Sequence, residues 1–235
     1  MNESRNVLAA LLLALGIAFA GYAVGHALFK ARAAERYVTV KGLAEREVQA
    51  DLVLWPIVFN ATGNDLVAVQ KAAEADATKI EDFLKRQTFD AAEISRSAPR
   101  VTDYLAQGYN AEGRAPAERY QVEMTVLVRS KKVDAVQRAV PLSGDLVKSG
   151  VALVRSYEQS TQYLFTALET IKPEMIAQAT QDARRAAEQF AKDSGSNVGG
   201  IRQAQQGYFS VEDRDAFSPE WKKVRVVTTV EYLLQ

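Results

Sequence analysis

The sequence predicts an α+β fold: an N-terminal transmembrane helix, then mostly antiparallel sheet with two long helices and one short helix. Three observations support this prediction. An uninterrupted apolar run lies at the N-terminus, amphipathic segments with apolar residues at every third or fourth position occur twice, and segments of alternating hydrophobicity lie between them. The 235 residues suffice for one large domain or two small ones.

Composition excludes several kinds of functional site. The chain has 29 Lys and Arg against 29 Asp and Glu and a pI near 6.6, whereas a general nucleic-acid binder needs a basic surface. It has no Cys and one His, His26, so disulfides, Cys-ligated zinc, HExxH zinc sites and Ser-His-Asp relays are excluded. We therefore predict no nucleic-acid partner and no cofactor, and we assign no catalytic or metal-ligating residue.

The segment Val7–Phe29 carries no formally charged residue. As a helix it spans about 34 Å, enough for the roughly 30 Å hydrocarbon core of a bilayer. Two interpretations compete: a cleaved signal peptide with an A-x-A site at Ala18–Ala20, or an uncleaved anchor. Because the apolar run continues well past that site, we favour an anchor over residues 1–29, a polar linker over 30–36 and a folded domain over 37–235.

The anchor contains a candidate helix-packing motif, since Gly21 and Gly25 form a GxxxG pattern that lets two membrane helices approach closely. Its orientation stays open on the residues alone. Lys30, Arg32 and Arg36 follow the apolar run, and positive-inside counting would keep that side in the cytoplasm. A short polar head followed directly by an apolar run nevertheless resembles an export signal.

A strand pair is predicted after the linker. Its first strand is Tyr37–Lys41, which we expect to break at Gly42. The second lies within the β-rich run Glu47–Ala61, where Pro56 removes a ladder donor and therefore indicates a bulge or an edge.

The first long helix begins after a turn and an N-cap at residues 62–65 and should end near Gln87. Its inward positions are Leu66, Val69, Ala73, Ala77, Ile80 and Leu84. A short helix is predicted over Lys131–Lys148, ended or kinked by Pro141. The second long helix has Pro173 in its first turn and Gly195 at its end. Its apolar stripe is Ile176, Ala179, Ala183, Ala186, Ala187, Phe190 and Ala191.

The remaining strands are predicted from alternation and β-propensity. Arg119–Arg129 alternates cleanly, residues 151–170 are β-like, and Ile201–Val211 with Lys222–Leu234 forms a closing pair. A long helix, a strand, a polar loop and an alternating strand occur at 65–130 and again at about 174–234. A duplicated helix–strand–strand unit is therefore a hypothesis.

Two stretches carry a resemblance to a known family. The first strand pair reads VTVKGLAEREVQAD over 38–51, and the second long helix reads DARRAAEQFA over 182–191, followed by Gly195 and Gly199. With the closing strand, these resemble the SIMPL domain family of bacterial envelope proteins over about 37–235. Gly42 and Asp51 match the family pattern, whereas Ala44 replaces its second Gly and Ala50 its Pro.

The resemblance implies an exported, envelope-facing α+β protein whose domain lies outside the cytoplasm. We therefore expect a single-pass inner-membrane protein with residues 37–235 in the periplasm. Relatives are associated with oxidative-stress tolerance, and some look like ring-forming oligomers. No catalytic residues are established for the family, so the resemblance assigns none. The helix signature itself is interpreted as packing, because Ala at inward positions lets a helix lie close to a sheet.

Carboxylates are the only plausible acid–base groups. They lie in or beside the two polar loops, at Glu112, Glu118, Glu212, Asp213, Asp215 and Glu220. A hydrolase acting on envelope glycans would need two of them across a sugar, one with a raised pKa. The segment Asp213-Arg214-Asp215 is weak support for a cation site. We therefore predict that the protein is not an enzyme.

The loop 207–221 is the strongest binding candidate. It places aromatic side chains around an acidic turn, at Tyr208, Phe209, Phe217 and Trp221. Tyr104 and Tyr109 flank the equivalent loop of the first half. Either these rings cover the core of their own domain, or they form a contact surface. The leading prediction is a homo-oligomeric envelope protein; the alternative is a monomeric module that presents these loops to another envelope protein.

Overall fold

The computed structural model describes residues 2–33, 36–106, 117–155 and 159–235, and in the first of these ranges the side chains of 13–28. The N-terminal helix α1 is Asn2–Ala33 and extends into the segment predicted as a linker. Its large apolar side chains from Leu13 to Leu28 are 60–73% exposed. Within the described residues, no helix meets the length and apolarity needed to cross a bilayer.

The chain divides into two compact units, each built from separated segments. One comprises 1–46, 169–210 and 224–235, and the other comprises 47–168 and 211–223. The strands are β1 Tyr37–Gln49, β2 Leu52–Gly63, β3 Ile94–Arg96, β4 Arg100–Asp103, β5 Tyr120–Ser130, β6 Ala152–Leu153, β7 Gln162–Leu164, β8 Val198–Gln206, β9 Ser210–Asp213 and β10 Trp221–Leu234. The remaining helices are α2 Leu66–Arg86, α3 Val133–Leu142, α4 Gly144–Lys148 and α5 Leu168–Asp193.

The first sheet has the order β1-β10-β8, and β9 also pairs with β10. Helix α5 packs on it through positions spaced by four: Met175, Ala179, Ala183, Ala187 and Ala191 are buried. The predicted stripe is confirmed at four of its alanines, and Ile176 is half-buried. It is wrong at Ala186, which is exposed, and at Phe190, which is 53% exposed. Strict four-residue spacing follows one ridge of the helix surface, which excludes those two positions.

Strand β1 runs unbroken through Gly42, contrary to the predicted break. A Cβ added there would lie 1.9 Å from the Ala179 carbonyl oxygen and 2.4 Å from the Ala183 amide nitrogen. Gly42 is required because the backbone of α5 lies directly against the strand, and not because the strand turns.

The second sheet has the order β3-β5-β2-β6, with β4 also on β5 and β7 also on β2. Strands β2 and β5 pair antiparallel in one continuous register from Val53–Ser130 to Gly63–Tyr120. Strands β1 and β2, predicted as a pair, thus lie in different sheets. Odd-numbered side chains of β2 and even-numbered ones of β5 pack on α2 and α3 to form the core. The fold is α+β with mostly antiparallel sheets, as predicted.

Pro56 produces no bulge, because it pairs with Leu127 in unbroken register. The Val154 N–H donates to the Val58 oxygen at 2.8 Å, so even-numbered residues of β2 turn their peptide groups away from β5. On that side β7 pairs with 52–54 and β6 with 59–60, which leaves Pro56 between them. The proline therefore removes a donor that no described strand uses, as an edge position would.

The helix boundaries follow local signals. Asp65 accepts the Ala68 N–H at 2.8 Å as N-cap of α2, and Gln87 is its C-cap, both as predicted. The predicted helix over 131–148 divides into α3, in whose last turn Pro141 lies, and α4. Helix α5 begins five residues before Pro173, and its end at Gly195, with φ +66°, is confirmed.

The two sheets share one connection pattern. In each, a long strand (β1 or β2) pairs with a later long strand (β10 or β5), which also pairs with two shorter strands on its other side. A long helix precedes those shorter strands in both cases. The sheets differ in that the second one also contains the short strands β6 and β7, which pair with β2; β1 has no such partners among the described residues.

Candidate functional site

The aromatic segment begins where β8 ends. The Gly207 N–H donates to the Val227 oxygen at 2.8 Å, and a Cβ on Gly207 would lie 2.5 Å from that oxygen. Glycine is therefore needed for the chain to pass this close to β10 before it bends away at Tyr208 and Phe209.

The four candidate contact residues divide into two kinds. Tyr208 is 100% and Phe217 95% exposed, so neither ring packs on the described part of its own chain. Phe209 and Trp221 are half-buried, and each has a cation above its ring: Lys172 at 5.9 Å and Arg214 at 5.3 Å. Two of the rings thus help to hold their loops in place, and two present free aromatic surface.

The acidic turn beside Phe217 is tied down by its own hydrogen bonds. Asp215 accepts from the Arg214 guanidinium at 2.9 Å and from the Phe217 N–H at 2.9 Å. These bonds, that of Arg214 first, hold the pKa of Asp215 below its ordinary value. Asp213 pairs with Lys222, whose side chain is 10% exposed. The Phe217 ring is therefore presented by an ordered turn.

Four of the six predicted carboxylates are either exposed or paired with cations. Glu118 and Glu212 are exposed, Asp213 and Asp215 are paired with cations, and Glu112 lies outside the described residues, as does Tyr109. A general acid needs a raised pKa, whereas that of Asp215 is lowered. Among the described residues, no group of three or more His, Asp or Glu side chains converges as metal ligands would.

Glu220 lies near a titratable ring. Burial, with the Glu220 charge as a smaller contribution, raises the pKa of the half-buried Tyr163 above its ordinary value. The backbone oxygen of Glu220 accepts the Ala50 N–H at 2.7 Å. In the first half, the Tyr104 hydroxyl donates to Gln121, so this ring is held by β5 and is not free like Phe217.

In α1, the two glycines of the predicted packing motif are open. No described atom lies within 4 Å of a Cβ placed at Gly21 or Gly25. The rings of Tyr22 and His26 stack beside them, 5.9 Å apart and 9° from parallel.

Two acids of the family-like stretches have long-range structural roles. Asp51 accepts from the Thr166 N–H, the Thr166 hydroxyl and the Ala167 N–H at 2.8–2.9 Å, and so fixes the entry to α5. Asp182 accepts the Leu43 N–H at 3.0 Å, next to Gly42. From the sequence we interpret the helix signature as packing and do not predict this bond. The one feature of the sequence that could have indicated it is the position of Asp182, an acid directly beside the alanine stripe.

Two cavities lie within the described residues of the second unit. The larger, about 810 Å³, lies beside Pro56 and Pro141 and is lined mainly by apolar and neutral polar residues. The other, about 420 Å³, has charged residues in its lining, Lys131, Lys132, Asp134 and Arg138. Lys132 is already bound to Asp90, Glu93 and the Thr88 oxygen, so its charge is neutralised within the protein.

Comparison with known proteins agrees with the resemblance. No curated protein matches the chain. A family model described as SIMPL, protein of unknown function (DUF541), matches residues 38–232. The match includes both sheets, the helix α5 with Asp182, and the aromatic segment from Tyr208 to Trp221. Since it spans well over half of the chain, the protein belongs to the SIMPL family.

Proposed function

We propose that the protein is a non-enzymatic, membrane-anchored envelope protein that acts by assembling with further copies of itself. The observation that carries this proposal is the exposure of Tyr208 and Phe217, at 100% and 95%. Exposed aromatic rings on ordered loops are typical of contact residues, because they bury much area at a small cost in side-chain entropy. Neither ring has a role in holding its own loop.

The anchor is proposed from the sequence of α1, whose uncharged run Val7–Phe29 extends beyond the side chains of 13–28 that the structure describes. Its side chains from Leu13 to Leu28 are apolar on every side and 60–73% exposed at the large residues. A helix that is apolar all round needs an apolar surrounding, and we assign this role to the lipid bilayer, with 37–235 on the periplasmic side. Anchoring confines the copies to a plane and raises their effective concentration. A link to stress tolerance is part of this proposal on the strength of the family resemblance.

The exposed acids argue against a hydrolase. Asp213 and Asp215 are each bound to a cation, and the lowered pKa of Asp215 keeps it ionised where a general acid must be protonated. If the protein were nevertheless a hydrolase, one of the three single replacements of Glu118, Glu212 and Glu220 would abolish its hydrolytic activity.

The test is the mass of the full chain in detergent, by light scattering across a concentration series. We expect a discrete oligomer whose dissociation constant rises by about tenfold or more in Tyr208→Ser or Phe217→Ser. Phe190→Ser is the matched control, since Phe190 is also an exposed ring, at 53%, but belongs to helix α5 and not to the aromatic segment. A monomer at every concentration would overturn the proposal, and capture of another envelope protein by that monomer would favour the binding module instead.

A further inference from the structure

Strand β8 is an edge strand whose C-terminal part is not covered by any described residue on either face. Among the described residues its only strand partner is β10. The seven residues from Gly200 to Gln206 are all exposed, so neither α5 nor another layer lies over them. Globular proteins seldom leave such an edge unprotected, because its free peptide groups are a template for another strand.

The register identifies which peptide groups are free. Gln206 lies opposite Thr228 and Gln205 opposite Thr229. In the same register Gly207 lies opposite Val227 and donates its N–H to that residue. Hydrogen-bonded and non-hydrogen-bonded pairs alternate in an antiparallel ladder, so Ala204 and Gln206 turn their N–H and C=O groups away from β10.

This part of the edge has no protective charge. Residues 203–206 read Gln-Ala-Gln-Gln, without Lys, Pro or an acid. The nearest charge is Arg202, which pairs with Glu231 at 3.4 Å and stacks on the Tyr37 ring at 4.2 Å. A second strand can therefore approach 203–206 without burying an unpaired charge.

The opposite edge of the same sheet, β1, is occupied at one peptide group. The Leu43 N–H donates to Asp182 of α5, and next along the strand the Arg46 side chain is bound to Glu174 of the same helix at 2.8 Å. A strand that added to β1 here would have to displace the Asp182 carboxylate, whereas no described side chain bonds the outward peptide groups of residues 204 and 206 on β8. We therefore take β8 of a second copy as the partner of β8, which gives a symmetric pair and not a head-to-tail chain.

We propose that β8 is the self-association edge of this protein and that it pairs antiparallel with β8 of a second copy across a two-fold axis. Ala204 of each copy lies opposite Gln206 of the other, and the two Gln205 residues face each other on the axis. This register uses both free residues of each copy, whereas one centred on Ala204 would bring Arg202 and the register shift beyond it into the pair. The inference rests on the proposed assembly function and adds the β8 edge to the contact surface that the exposed rings of Tyr208 and Phe217 provide.

Because the chain has no cysteine, disulfide trapping in the full-length protein tests the register directly. In the proposed pair the Gln205 Cα atoms are about 4.5 Å apart, within the range of a disulfide. The two Gln203 Cα atoms are about 13 Å apart or more. We expect Gln205→Cys to form a covalent dimer under mild oxidation and Gln203→Cys, on the same face of the same strand, to stay monomeric on a denaturing gel.

A second variant tests the edge without cysteine chemistry. Ala204→Pro removes an outward N–H that β10 does not use, so we expect the fold to persist and the dissociation constant to rise by about tenfold or more. Ala204→Lys places a charge on the edge and serves the same purpose if the proline variant fails to fold. An oligomer that is unchanged in mass in either folded variant, or trapped better through Gln203→Cys, overturns the β8 pairing but leaves the assembly function standing. A wild-type monomer overturns both.

Discussion

Gly42 on β1 lies directly against the backbone of Ala179 on α5, so close that an added Cβ would be 1.9 Å from the Ala179 carbonyl oxygen. The methyl group of Ala183 would be 2.8 Å from the same Cβ. The contact explains why a glycine lies within the strand and why the helix has small side chains at Ala179 and Ala183, where it meets the strand.

Replacement of Gly42 by Ala should lower the free energy of unfolding by about 3 kcal/mol or more, because the clashing atoms are backbone and cannot rotate away. Urea denaturation of the full chain measures this. Gly200→Ala is the matched control, since a Cβ there meets no atom within 4 Å. Equal stability of the two variants would contradict the close contact.

Asp182 should make stability depend on pH. The Leu43 N–H, with Arg185 as a smaller contribution, holds the pKa of Asp182 below its ordinary value. Its stabilisation is therefore fully present above the unfolded-state pKa of about 3.9 and is lost as pH falls through the lower folded-state pKa. Between pH 6 and pH 3 the wild type should lose more stability than Asp182→Asn, which can still accept the Leu43 N–H. Urea denaturation at each pH measures this. If the free energy of unfolding changed equally with pH in the two proteins, the Asp182 carboxylate would not be the source of the pH dependence.

Thr88 follows the C-cap of α2 with φ +70°, a region that costs a β-branched residue energy. Its N–H donates to Lys85 and that of Phe89 to Leu84, the bonds of a Schellman motif, in which glycine is preferred. Thr88→Gly should therefore raise the free energy of unfolding by about 1 kcal/mol. Gln87→Gly, at φ −87°, should give no gain, and thermal denaturation distinguishes the two.

Thr228 is a buried residue, 4% exposed, and its hydroxyl oxygen has no hydrogen-bond partner among the described residues. Thr228→Val keeps the shape and removes the unsatisfied group, so it should stabilise the protein by about 1 kcal/mol. Thr228→Ser keeps the hydroxyl and loses the methyl group, and should destabilise it. Calorimetry measures the stability of both variants. If Thr228→Val proved less stable than the wild type, the Thr228 hydroxyl would have a hydrogen-bond partner in solution.

The four aromatic residues should differ in their effect on folding stability, because two of the rings are half-buried and two are exposed. Phe209→Ala and Trp221→Ala remove half-buried rings and should each cost about 1–3 kcal/mol of folding stability. Tyr208→Ala and Phe217→Ala remove exposed rings and should change it by less than about 0.5 kcal/mol. Urea midpoints for the four variants test the division; a large loss at Phe217 would mean that its ring packs on the chain.

Local signals predicted the helices well. Asp65 and Gln87 bound α2 and Gly195 follows α5 because caps depend on residues within one turn. Of the two predicted strand pairs, the closing pair is confirmed, since β8 and β9 pair with β10. The first pair is wrong: β1 and β2 are neighbours in sequence, yet they pair with β10 and β5. Such pairing depends on residues far apart along the chain, and alternation reveals a strand's faces but not its partner.

The candidate site, too, was predicted from the sequence only in part. The sequence located the aromatic segment, but it could not tell the exposed Tyr208 and Phe217 from the half-buried Phe209 and Trp221, because a ring's exposure depends on what folds over it. The predicted apolar N-terminal helix, the absence of cysteine and the family resemblance needed only composition and local pattern. The bond from Leu43 of β1 to Asp182 of α5 and the open edge of β8 emerged only in the tertiary structure. Both depend on how α5 lies across a sheet whose strands come from opposite ends of the domain.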